Sequence, residues 1–66
     1  MTVFGKRLKD LRIEKNLSQH ALALEIHYAQ SVVSDWENGK TDPTATAIVA
    51  VADYFNVSCD FLLGKE

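Results

Sequence analysis

An all-α domain of five short helices is the fold that this sequence predicts, and three observations predict it. Apolar residues recur at intervals of three and four along most of the chain. Ser18, Thr44 and Ser58 stand where such patterns begin, and Asn16, Gly39 and Asn56 where they end. No apolar–polar alternation extends from the β-branched pairs Val32-Val33 and Ile48-Val49, so no strand is predicted. The 66 residues give one domain, 1–66, which buries only about 60% of its unfolded surface.

The first helix is predicted over about 3–15. Phe4, Leu8 and Leu11 fall at i, i+4 and i+7, with Lys6, Arg7, Lys9 and Asp10 between them. Asn16 ends it in a left-handed conformation that asparagine tolerates. Ser18 caps a second helix running to about residue 25, with Leu22, Ala23 and Ile26 inward. The third helix, about 29–38, turns Val33 and Trp36 inward and is stopped by Gly39. After the turn Asp42-Pro43-Thr44, Thr44 caps a fourth helix. Its Ile48, Val51, Ala52 and Phe55 repeat the spacing, and Asn56 ends it. Ser58 caps a last short helix with Phe61 and Leu62, where Asp60 in the first turn suits the helix dipole. With Leu11, Ile48 and Val57, these inward residues are the expected core.

Composition excludes several classes. The hydrophobic fraction of 47% and charged fraction of 24% are those of a globular domain, not a disordered one. One cysteine excludes an internal disulfide. No apolar run approaches the roughly 18 residues of a membrane span. Residues 1–6 show no charged leader before an apolar stretch, so a cytoplasmic protein without membrane contact is expected. His20, His27 and Cys59 form no C-x-x-C or H-x-x-x-H pair, so no metal or other cofactor is expected. No G-x-S-x-G elbow occurs, and no enzyme is predicted.

The net charge of −2 runs against nucleic-acid binding, but its distribution softens the objection. Lys6, Arg7, Lys9, Arg12, Lys15 and Lys40 outnumber the acids of residues 1–40 by one. Residues 41–66 set Lys65 against Asp42, Asp53, Asp60 and Glu66.

The informative stretch is 19–38. Its two helices are linked by only about three residues, Ile26-His27-Tyr28, which forces a steep crossing. Ala23 is the small residue at the approach. The second helix of the pair then exposes Gln30, Ser31, Ser34 and Asp35, short polar side chains suited to base edges. Asp35 has two readings here: an acceptor for a cytosine amino group, or a surface residue in a salt bridge.

The chain resembles the Cro/C1-type helix-turn-helix regulators of phages and bacteria. The resemblance lies in Leu17-Ser18-Gln19, Leu22-Ala23, Val33-Ser34, Trp36-Glu37-Asn38-Gly39-Lys40, Pro43, Asn56-Val57-Ser58 and Phe61-Leu62-Leu63, in order and at the family's spacing. It covers nearly the whole chain, from Arg7 to Gly64. It implies a lambda-repressor-like fold whose third helix enters the major groove of double-stranded DNA. Gln30, Ser31, Ser34 and Asp35 would then meet bases, and Ser18, Gln19, Tyr28, Asn38 and Lys40 would meet phosphates. It implies an ion pair between Arg12 and Glu37, and a homodimer on a near-palindromic operator. The dimer contact maps to Pro43, Cys59 and Phe61, with Cys59 expected to be exposed. The expected function is a sequence-specific transcriptional regulator, a repressor, at the bacterial nucleoid and without a small-molecule ligand. The alternative is a protein-interaction module or antitoxin-like subunit of the same fold. Four departures from the family pattern stand out: His27 where glycine is frequent, Ala29 where serine or threonine caps, Asp35 where a neutral or basic residue is common, and a loop Thr41-Asp42-Pro43 without the arginines that some relatives place there.

Overall fold

Five helices follow one another along residues 2–66, the part of the chain that the computed structural model describes: α1 (Thr2–Glu14), α2 (Gln19–Ile26), α3 (Gln30–Glu37), α4 (Ala45–Phe55) and α5 (Cys59–Leu62). Among the described residues there is no strand. Among the described residues no helix is long and apolar enough to cross a membrane.

The helix starts follow their capping side chains. Ser18 Oγ accepts from the Ala21 N–H at 3.0 Å, Thr44 Oγ1 from Ala47 at 3.1 Å and Ser58 Oγ from Phe61 at 2.9 Å. Each satisfies one of the amide donors that a helix start leaves unpaired. Ala29, in extended backbone ahead of α3, offers no such bond.

The helix ends share one device. Asn16, His27, Gly39, Asn56 and Gly64 all stand at positive φ, between 55° and 79°. In each case the next N–H reaches back to a carbonyl in the last turn, as Leu17 does to Arg12 at 3.0 Å and Lys40 to Asp35 at 2.9 Å. His27 therefore takes the left-handed turn position without glycine, at the modest cost that histidine carries there. The helix bounds differ by about one residue from those that the sequence spacing predicts. Ile26 completes α2, so the link to α3 is His27-Tyr28-Ala29, and Ala29 and Asn38 flank α3 instead of lying in it.

The core joins α1, α2, α3 and α4 with Leu62 of α5. Phe4, Leu8, Leu22, Val33, Val51 and Leu62 are fully buried. Trp36 lies edge-on to Phe4 at 5.8 Å and to Tyr28 at 5.1 Å between ring centroids. Three expected core residues, Leu11, Ile48 and Val57, are instead half-buried at its margin. Ala47 is fully buried in their place. It stands one turn before Val51 on the buried face of α4. Gly5 is also buried, and α1 crosses α3 there so closely that a Cβ would fall 2.2 Å from the Trp36 carbonyl oxygen.

Candidate nucleic-acid interface

α3 is held by one face and presents the other. Val33 and Trp36 anchor it in the core. Gln30, Ser31 and Asn38 are exposed, and Ser34 and Asp35 are half-buried. On helical spacing these five share the side facing away from Val33 and Trp36. Asn38 Nδ2 donates to Ser34 Oγ at 3.3 Å, one turn back.

Two backbone bonds close the turn after α3. Gly39 N–H donates to the Trp36 carbonyl at 3.2 Å, and Lys40 N–H to the Asp35 carbonyl at 2.9 Å. This closure sets the backbone of Lys40, whose side chain is exposed just past the helix. At the start of α2, Ser18 uses its oxygen as the cap and keeps its hydroxyl proton. Tyr28 is half-buried, its ring against Trp36.

Beneath this surface lies a polar junction. Arg12 Nε donates to Glu37 Oε2 at 2.7 Å and Arg12 Nη2 to Oε1 at 3.0 Å. Arg12 Nη1 donates to the Leu17 carbonyl at 2.8 Å. Gln19 Nε2 donates to Glu37 Oε1 at 3.1 Å. The Glu37 side chain is only 3% exposed and that of Arg12 13%. The two-pronged bond to Glu37 raises the Arg12 pKa above its ordinary value, while desolvation opposes that rise. One carboxylate thus ties α1, α2 and α3 together. The sequence suggested the Arg12–Glu37 pair only through the resemblance, and it carried no signal for the Gln19 bond.

The residues assigned to a dimer contact are placed differently from expectation in one respect. Cys59 is half-buried and packed on the core, not exposed, because it stands three residues before the fully buried Leu62, on the same side of α5. Pro43 is half-buried in the link before α4. Phe61 is half-buried too, under the Arg7 guanidinium at 4.3 Å from the ring centre. Phe61 and Arg7 line a groove of about 490 Å³ with Val3, Lys6 and Asp10. Among the described residues no group of His, Cys, Asp and Glu is disposed to hold a metal ion.

The family model described as helix-turn-helix matches residues 8–62. The HTH-type transcriptional activator BcrR of Enterococcus faecalis is 35% identical over 63 residues, covering 96% of this chain and 31% of BcrR. The chain spans between 31% and 52% of the first curated relatives that it matches. The restriction-modification controller protein C.AhdI from Aeromonas hydrophila is 31% identical, with a TM-score of 0.84 over 92% of both chains. The P22 c2 repressor, solved in complex with synthetic operator 9T, superposes over the full length of both chains with a TM-score of 0.90. At 24% identity that last likeness is one of fold.

Proposed function

We propose that this chain, which belongs to the Cro/C1-type helix-turn-helix family, binds double-stranded DNA sequence-specifically and regulates transcription as a repressor. The observation that carries this reading is the polar outer face of α3, rigidly backed by Val33 and Trp36. A helix about 10–12 Å across fits a major groove about 12 Å wide. In that pose Gln30, Ser31, Ser34 and Asp35 meet base edges. Ser18, Gln19, Tyr28, Asn38 and Lys40 meet phosphates on either side and set the register. The name of BcrR supports a regulatory role.

An 8-residue reading helix addresses only a few base pairs. A homodimer on two half-sites about 34 Å apart supplies the remaining selectivity, through a contact that includes Pro43, Cys59 and Phe61. Such a dimer, bound across a promoter in the bacterial cytoplasm, represses by occupying it. Selection of bound fragments from random DNA tests the proposal. A recovered inverted repeat, with affinity falling steeply as salt rises, supports it.

The net charge of −2 favours one second reading, a protein-interaction module of the same fold. Stable co-purification of another protein, with no DNA retarded at low salt, would select that reading instead.

A further inference from the structure

Asp35 is the one acidic side chain on the outer face of α3. A carboxylate facing DNA is repelled by phosphates unless something compensates it. Among the described residues, nothing in the domain does: its side chain takes part in no hydrogen bond or ion pair. Arg12 is committed to Glu37 and to the Leu17 carbonyl. Asn38, one turn from Ser34, spends an amide N–H on Ser34. Lys40 meets Asp35 only through the backbone. The surface salt bridge that is the other reading of Asp35 is therefore absent among the described residues.

The major groove offers a carboxylate few partners. Guanine presents N7 and O6, and thymine presents O4, all acceptors that repel it. Only the exocyclic amino groups of cytosine and adenine donate. Adenine sets its N7 lone pair beside that amino group, facing the second carboxylate oxygen. Cytosine sets a C–H there, so it is the better match.

We propose that Asp35 determines specificity by accepting a hydrogen bond from the amino group of a cytosine in each half-site, excluding guanine and thymine at that position. This rests on the DNA-binding reading above and adds the base that one side chain selects.

The test is selection of bound sites from random DNA with the parent, Asp35→Asn and Asp35→Ala. Affinities for the parent site and its three single-base-pair replacements are then measured. The parent should select a cytosine at one position, and each replacement there should weaken binding about 5–150-fold. Asp35→Ala should flatten that preference to within about twofold while leaving the other positions unchanged. Asp35→Asn, nearly isosteric and melting with the parent, should also accept guanine, because its amide donates. If both variants keep the parent's preference, the assignment is overturned. It is equally overturned if both gain affinity for every sequence alike, which marks Asp35 as general repulsion. A parent that selects no sequence overturns the DNA-binding reading itself and this assignment with it.

Discussion

Gly5 of α1 lies against the backbone of Trp36 in α3, so close that a Cβ would sit 2.2 Å from the Trp36 carbonyl oxygen. It would also stand 3.2 Å from the Cα of Glu37. The crossing that seats the reading helix on α1 therefore depends on a missing side chain.

Gly5→Ala is expected to destabilise the domain. The gain in helix propensity is about 1 kcal/mol. Overpacking costs about 1–3 kcal/mol, and the obstacle here is backbone, which cannot swing aside. Thermal unfolding followed by circular dichroism should show a lower midpoint. A midpoint at or above that of the parent would mean that α1 and α3 are not held this closely.

Removing Arg12 should cost far more than removing a neighbouring cation. Arg12→Ala leaves Glu37, 3% exposed, as an uncompensated charge, and breaking such a pair costs about 3–5 kcal/mol. Lys9 is exposed, and Lys9→Ala should change stability by no more than about 0.5 kcal/mol. Arg12→Lys keeps the charge but not the two-pronged geometry, and should fall between. The raised pKa of Arg12 makes its contribution complete at every pH below its ordinary value, to be lost only as strong alkali titrates it. Denaturant titrations of the three variants at neutral pH check the order. Equal midpoints for Arg12→Ala and Lys9→Ala would reject the stabilising role of the junction.

Positioning and reading contacts should separate in DNA binding. Lys40→Ala should weaken binding to all sequences alike and lower the salt slope by about one. Gln30→Ala should relax preference at one base-pair position by about 1–3 kcal/mol. Competition assays across a salt series and a panel of single-base replacements read both effects. If Gln30→Ala leaves every preference intact, Gln30 is a solvated helix residue.

Two copies should bind the operator on one face of the duplex. Inserting about five base pairs between half-sites puts them on opposite faces and should abolish cooperative binding. Inserting about ten restores the facing and should restore part of it. Cys59→Asp should weaken the pairing and also lower the melting point, since Cys59 packs on the core. Unchanged binding to the five-base-pair insertion would show that single subunits act independently.

The helix inventory was legible from the residues because its causes are local. Ser18, Thr44 and Ser58 cap within three residues of themselves, and Asn16 and Asn56 close turns that they alone make possible. The outward face of α3 was legible for the same reason, since Val33 and Trp36 fix the phase of an 8-residue helix. Tertiary structure alone decided the rest. Nothing near Gly5 in the chain foretells its contact with the distant backbone carbonyl of Trp36. Nothing near Gln19 foretells that its amide serves the carboxylate holding Arg12. Leu11, Ile48 and Val57 have the same apolar chemistry as their buried neighbours, but they sit at the margin of the core. Capping and periodicity act along the chain and are written in it. Close approach, shared acceptors and the edge of the core depend on how helices cross, which is set by all their side chains at once.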